Sequence, residues 1–531
     1  KAFLQEPMFE FPGEAVYLRA LEKWALSTNT GDRAELTELP DEFAAWAALS
    51  ASGDRCLGGN CPDFQDCFIQ RARRIAAAAD LVVVNHHLFM ADLAIRESGY
   101  GEVIPKYEAV IFDEAHQLED VATQYFGMSV SSYRLNELRR DADRLLRQTR
   151  RMSPLLGRIL VSLKNRTDTL VQKFFPKEGE FDLADDGNRA AAGLNEYGMK
   201  IAADVDGLAS ALEAMDHIEE EIEALVRRAR NLSRELSFIL DNKDSSFVYW
   251  AVRRGTGLLL RASPLEVGPF LQDRLYAKGL TLVFTSATVT TDRSFDYFKD
   301  QLGLLPEIEG FIFDSPFDFS RQALLYVPNR LPPPRSRDFL SGLVSEIEKL
   351  LEISRGRAFV LFTSYRNMHY AAEHLSERLS WPCLVQGQAP RSTLIDQFRK
   401  ETDSVLFATH SFWQGVDVPG ESLSAVIIDK LPFTPPGRPL FKARLERLAD
   451  EGRDPFMSYQ VPEAIISLKQ GLGRLIRSSS DRGLLAVLDT RITNSGYGRK
   501  FLRSLPASPL TRDLDEVRVF FAKQPVGKPA V

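Results

Sequence analysis

Seven short apolar runs, each stopping at a polar residue, constrain this chain more than any other feature. They are Leu81–Asn85 (LVVVN), Ala109–Asp113 (AVIFD), Leu280–Phe284 (LTLVF), Ala358–Phe362 (AFVLF), Val405–Ala408 (VLFA), Ala425–Ile428 (AVII) and Leu484–Leu488 (LLAVL). Runs that are nearly continuous in β-branched and apolar residues read as central strands covered on both faces. Helical stretches lie between them, which predicts an α/β fold with largely parallel sheets. The carboxyl ends of such strands are where α/β folds place ligand chemistry. Residues just past each run are therefore the first candidates for function.

At 531 residues the chain exceeds what one core organises, so three or more domains are expected. No stretch of about 18 consecutive apolar residues occurs, which excludes a helical membrane span. With 66 Lys and Arg against 73 Asp and Glu, the net charge is −7. That excludes a uniformly basic, histone-like binder but not a local nucleic-acid groove. Of four cysteines, Cys56, Cys61 and Cys67 crowd together and Cys383 lies far downstream. This is no secreted disulfide framework, so a reducing, cytoplasmic setting is expected, with the trio available for metal. The opening KAFLQEP has neither an initiator Met nor a signal-peptide pattern, and a start inside a longer protein is expected.

Between the second and third runs, residues 121–256 read as helical. Leu208, Leu212, Met215, Ile218, Ile222, Leu225, Ala229, Leu232, Leu236 and Ile239 step by three and four, one apolar stripe expected on a long helix. Eight arginines between 134 and 158 accompany Glu137, Asp141 and Asp143. A solvated face is the plainer reading of that run, and a phosphate-tracking surface the alternative.

Four motifs carry chemistry. Asp113-Glu114-Ala115-His116 follows the AVIF run, and two adjacent carboxylates at a strand end suit Mg²⁺ ligation and water activation in an NTPase. Taken alone, the acids could equally cap a following helix. Thr285-Ser286-Ala287-Thr288 ends the LTLVF run, where hydroxyls could bond the acidic motif or simply cap the next helix. In Gln470-Gly-Leu-Gly473-Arg474-Leu-Ile-Arg477, the i, i+3 spacing puts Arg474 and Arg477 on one helical face. Guanidinium groups so placed reach a γ-phosphate as arginine fingers do, or form a basic surface. Phe412–Gly420 (FWQGVDVPG) supplies a turn bearing Gly415 and Asp417. His86 and His87 have no acidic or Cys neighbours at ligand spacing, and packing or a DNA contact suits them better than metal.

In order and spacing, these motifs resemble those of superfamily-two helicases, and more closely the iron–sulfur XPD/DinG family. Phe362–Tyr365 (FTSY), Asn85-His86-His87, and Asp489-Thr-Arg491 with Tyr497-Gly498 resemble that family's further segments. The resemblance spans nearly the whole chain. It implies two RecA-like P-loop NTPase-type motor domains, the first carrying an iron–sulfur insertion and a helical arch. The expected limits are 1–72 for part of the cluster domain, 73–120 with 257–300 for motor domain 1, 121–256 for the arch and 301–531 for motor domain 2. It also implies an ATP-dependent DNA helicase, moving 5′ to 3′ on single-stranded and forked DNA in replication or repair, as a monomer with a further replication or repair protein as a candidate partner. Asp113 would hold Mg²⁺, Glu114 would activate water, and Arg474 and Arg477 would stabilise the transferring phosphoryl. His116, Gln470, Gly473, Gly415 and Asp417 would complete the nucleotide contacts. Cys56-x4-Cys61-x5-Cys67 is similar to three clustered ligands of a [4Fe–4S] cluster, which needs four thiolates. Cys383 suits core better than the fourth position, which the family places before this trio.

One departure stands out. No G-x-x-x-x-G-K-[ST] occurs in the chain, although a P-loop cradles the β- and γ-phosphates. Family order puts it with the first cluster Cys, so both are expected upstream of Lys1, and the 531 residues alone are expected to be nearly inert. A nucleotide-independent DNA-binding adaptor that keeps its cluster is the alternative reading.

Overall fold

The computed structural model describes residues 12–36, 39, 43, 46–50, 56, 59, 61–96, 102–184, 193–215, 220–409, 412, 423–473 and 475–522. The chain divides into two units: residues 1–112, 117–283 and 437–444 form one, and residues 113–116, 284–436 and 445–531 the other. No described helix is long and apolar enough to cross a membrane.

The first unit holds α1 (Phe68–Ala77), α2 (His86–Arg96), β1 (Ala109–Phe112) and α3 (Leu118–Tyr125). A layer of helices on an antiparallel sheet follows. Its elements are β2 (Met128–Ser131), α4 (Ser132–Gln148), α5 (Pro154–Thr169), β3 (Gly179–Asp182), α6 (Leu194–Glu213), α7 (Glu220–Asp241), β4 (Phe247–Arg254) and β5 (Gly257–Pro264). The four strands run in the order β2-β5-β4-β3, and β6 (Thr281–Phe284) pairs with β1. Ser131 caps α4 by accepting from Arg134 N, and Ser153 caps α5, which begins at Pro154. Both ends follow ordinary helix-start chemistry. Leu138, Leu163, Leu208, Leu212, Ile222, Leu232 and Leu236 meet in one core beneath the sheet residues Tyr249 and Leu260.

The second unit is built on seven parallel strands: β7 (Ala323–Tyr326), β8 (Ala358–Phe362), β9 (Cys383–Val385), β10 (Val405–Thr409), β11 (Ala425–Ile428), β12 (Gly483–Val487) and β13 (Leu510–Thr511). Their order is β13-β7-β12-β11-β8-β10-β9. Alternate side chains serve two cores. Phe359 and Leu361 of β8 enter one, and Ala358, Val360 and Phe362 the other. Helices α8 (Phe339–Ser354) and α9 (Tyr365–Ser376) cover the second face through Leu343, Ile347, Met368 and Leu375. Helices α10 (Arg391–Lys400) and α11 (Val461–Leu472) cover the first through Leu394, Phe398, Ile465 and Leu468. Covering on both faces accounts for the continuous hydrophobicity of these strands. Because all seven are parallel, Thr363, Thr409, Asp429 and Asp489 emerge at one end of the sheet.

Three expectations need correction. Residues 81–85 are not a strand: Leu81 is 80% exposed and Val83 89%. Among the described residues nothing pairs with that segment, and Asn85 instead caps α2, accepting from Leu88 N at 2.7 Å. The apolar stripe belongs to two helices, α6 and α7, rather than one, with Met215 just past the end of α6 and Ile218 outside the described residues. Residues 247–254, inside the region 121–256 read as helical, form a hairpin with residues 257–264. Residues 257–264 pair with both β4 and β2.

Candidate active site

The acidic motif leaves β1 through a strained residue. Glu114 has φ 48°, a left-handed conformation that an L side chain with a Cβ adopts at a cost of roughly 1–2 kcal/mol. Such strain persists where surrounding bonds over-determine it. Here Ala115 N donates to Thr285 O at 2.9 Å, pinning the turn to the end of β6. Thr285 Oγ1 donates to Asp113 Oδ1 at 3.0 Å, and Ser286 Oγ lies 3.2 Å from Glu114 Oε2. His116 Nδ1 lies 2.9 Å from Ser286 Oγ, 3.1 Å from Thr288 Oγ1 and 3.4 Å from Glu114 Oε2.

These contacts are mutually consistent in one arrangement. A serine hydroxyl has one proton to give. With the imidazole proton on Nδ1, His116 donates to Ser286 and Ser286 donates to Glu114. Ser286 Oγ also accepts from Thr288 N at 3.1 Å. The His116 side chain is 8% exposed and that of Glu114 is 52% exposed. A buried imidazole thus backs an accessible carboxylate through a hydroxyl. The exposed Asp113 carboxylate offers the hard oxygen donors that suit Mg²⁺.

At the carboxyl end of the seven-stranded sheet, two aspartates organise the loops. Asp429 is fully buried, and it accepts from Thr363 N at 3.0 Å, Asn367 Nδ2 at 2.9 Å and Lys430 N at 2.8 Å. Burial nevertheless pushes its carboxyl up to about 6, with the Asn367 bond and Lys430 pulling the other way. Asp489 holds Arg491 through paired bonds of 2.9 and 2.6 Å and accepts from Leu431 N. Ser364 caps α9, leaving Tyr365 exposed with its hydroxyl 3.0 Å from Gln386 Nε2. The FTSY and DTR segments were marked from sequence. Asp429 was not, although it follows β11 as Asp113 follows β1.

Gln470 lies half-buried in the last turn of α11, and Gly473 is its C-cap. The shared helical face expected for Arg474 and Arg477 falls partly outside the described residues, and α11 itself stops at Leu472. Arg474 lies outside the described residues. Arg477 sits in the following loop, where Asp481 Oδ2 accepts from both Arg477 N and Ser478 N at 2.8 Å. That carboxylate folds residues 477–481 into a turn that competes with helix. Burial lowers the Arg477 guanidinium's pKa, Asp481 opposing and Arg399 adding to the effect. Gly415 and Asp417 also lie outside the described residues, whereas Phe412 is buried with Arg391 5.3 Å above its ring.

Cys56 is exposed, Cys61 and Cys67 are partly buried, and all are free thiols. Cys61 O accepts from Phe64 N, and Cys67 is the N-cap residue of α1. Among the described residues no three His, Cys, Asp or Glu side chains are placed to hold a metal ion. His86 and His87 pack against Phe112 and Tyr125. In the arginine run, Arg134 pairs with Glu235, Arg144 with Asp141 and Arg147 with Asp143.

Comparison with known proteins follows the same lines. The helicase C-terminal domain family model matches residues 347–508, and the DEAD_2 model matches residues 55–135. The Haemophilus influenzae ATP-dependent DNA helicase YoaA is 39% identical over 515 residues, 95% of this chain and 78% of that protein. The chain belongs to the XPD/DinG family. Other members are the Escherichia coli helicase YoaA, 37% identical over 94% of this chain and 78% of its own, and the Mycobacterium tuberculosis ATP-dependent helicase DinG, 35% identical over 94% and 75%. A solved XPD helicase structure shares the fold with a TM-score of 0.54 at 19% identity, covering 85% of this chain and 76% of that one.

Proposed function

We propose that this protein is an ATP-dependent DNA helicase, as the YoaA and DinG relatives are named. The observation that carries the reading is the Asp113–Glu114 pair, held by the hydroxyls of Thr285 and Ser286. Asp113 would hold Mg²⁺, which when bound would supply neutralisation of charge on the phosphates. Glu114 orients and deprotonates the attacking water. Ser286, backed by His116, donates to the carboxylate and keeps it in place between turnovers. Gln470, Gly473, Arg474 and Arg477, together with Gly415 and Asp417, meet the nucleotide.

The finer reading follows the family. The protein moves 5′ to 3′ on single-stranded and forked DNA, as a cytoplasmic monomer working in replication or repair. Residues 121–256 serve as its arch. Cys56, Cys61 and Cys67 contribute to a [4Fe–4S] cluster. The support is the donor chemistry: three free thiols on one short segment, two of them bracketing a turn. Replacing Cys61 by Ser in anaerobically purified full-length protein is expected to remove most iron and the broad thiolate-to-iron absorbance. Undiminished iron content in that variant removes the cluster assignment.

The deciding experiment measures ATP hydrolysis by the full-length protein with and without single-stranded DNA, beside unwinding of a fork. DNA-stimulated hydrolysis and ATP-dependent unwinding are expected. Glu114→Gln is expected to keep ATP binding while hydrolysis falls by roughly two or more orders of magnitude. Hydrolysis within a few-fold of wild type in that variant, or no DNA stimulation of the wild type, overturns the assignment.

A further inference from the structure

The hydrogen-bonded set behind the acidic pair does not end at Thr288. The chain continues through the buried Val289 to Thr290, whose carbonyl oxygen accepts from Lys469 Nζ at 3.0 Å. Lys469 lies in the last turn of α11, immediately before Gln470, and its own carbonyl accepts from Gly473 N at 2.9 Å. One residue thus closes the helix at Gly473 and reaches the loop that carries Ser286 and Thr288. The ammonium is partly buried, and burial lowers its pKa. A partly desolvated ammonium needs a well-placed acceptor, because leaving it unpaired costs more than the bond itself is worth. The carbonyl of Thr290 is such an acceptor.

The segment after the hydroxyls is tied down at further points. Asp292 N donates to Ser504 Oγ at 2.7 Å, Asp300 pairs with Arg453 at 2.8 Å, and Tyr297 packs edge-on against Tyr459. Among these ties, Lys469 adjoins the hydroxyl loop on one side and Gln470 on the other. Charge-assisted bonds to a carbonyl are short and directional, so the tie fixes a distance as well as a contact.

We propose that Lys469 is a positioning residue, tying the hydroxyl loop behind Asp113 and Glu114 to the helix end that carries Gln470 and Gly473. The proposal rests on the helicase reading above and adds a residue to it. A shift at either end is passed to the other through one bond and the rigid last turn of α11. Loss of the tie then lowers the coupling of hydrolysis to DNA rather than the affinity for nucleotide.

The test compares Lys469→Met and Lys469→Arg with wild type in the full-length protein. The quantities are kcat and KM for ATP with and without single-stranded DNA, and base pairs opened per ATP. In Lys469→Met the DNA-stimulated kcat is expected to fall roughly tenfold with KM for ATP within about twofold, a coupling of ordinary allosteric size. Lys469→Arg, which keeps a cationic donor, is expected to recover to within about threefold. Unchanged kcat and unchanged base pairs per ATP in Lys469→Met overturn the proposal. So does a raised KM with normal kcat, which would make Lys469 a nucleotide contact. If Lys469→Met does not fold, Lys469→Gln replaces it, and amide hydrogen exchange across residues 286–292 is the readout. Faster exchange than wild type supports the tie and equal exchange overturns it. Wild-type protein without DNA-stimulated hydrolysis would sink the helicase reading instead, and the same exchange measurement then decides the tie by itself.

Discussion

Glu114 and Asp429 show how differently two carboxylates at strand ends can be employed. Glu114 is accessible and strained, whereas Asp429 is sealed in and saturated with donors. The second has a measurable signature. Burial raises its carboxyl from the ordinary 3.8 to about 6, so the folded state binds a proton more readily than the unfolded chain. Stability from this group is fully present below about pH 3.8 and is lost as pH rises through about 6. The whole effect is of order 3 kcal/mol. Asp429→Asn is expected to flatten the fall in thermal stability between about pH 4 and 6, and a wild-type-like slope in that variant would refute the assignment. At this scale the acidic and hydroxyl motifs were legible because their residue types suit one chemistry. Asp429 was not, since an aspartate after a strand is common and only burial distinguishes it. The Arg477 conformation was hidden for a similar reason: Gly473 and Asp481 together end the helix, and spacing alone keeps it going.

Among the elements, the parallel strands were the most legible and the hairpin of β4 and β5 the least. Six of the seven apolar runs are strands, and the exception, residues 81–85, is a run with no described neighbour to pair with. Hydrophobic pattern reports what a segment could bury but not whether a partner strand stands beside it. The hairpin was masked by the helical stripe that precedes it, although FVYWAVRR is rich in strand-forming residues and Gly255, at φ 53°, supplies the turn. The stripe itself tells which side chains matter to the helical layer. Leu236 is fully buried in α7 among Leu208, Leu212 and Leu232. Leu236→Ala is expected to destabilise that unit by about 2–5 kcal/mol, read as a lower denaturation midpoint by circular dichroism. A loss under about 1 kcal/mol would mean that the helices repack around the cavity.

For the whole molecule, the net charge of −7 says little about DNA affinity, because phosphates meet local grooves. Single-strand affinity is expected to weaken with salt, with a log–log slope of about 3 to 4 for roughly four to six phosphate contacts. A flat salt dependence would contradict a phosphate-tracking path. The parallel α/β character of the second unit was legible from the strand pattern, while the mixed character of the first unit was not, since antiparallel and helical parts alternate within it. The bond between Asp113 and Thr285 has a consequence for how the protein comes into being. Its two ends are 172 residues apart in the chain. During translation the aspartate leaves the ribosome first and waits roughly 10 to 30 seconds, at about 5–20 residues per second, for its hydroxyl partner. In that interval the intervening helices and antiparallel strands must fold and bring their two ends together, at a loop-closure cost that grows only slowly with length. The Asp113–Glu114 turn is thus among the last parts of its neighbourhood to be completed, and any delay in folding the residues between postpones its assembly without altering a residue of the turn.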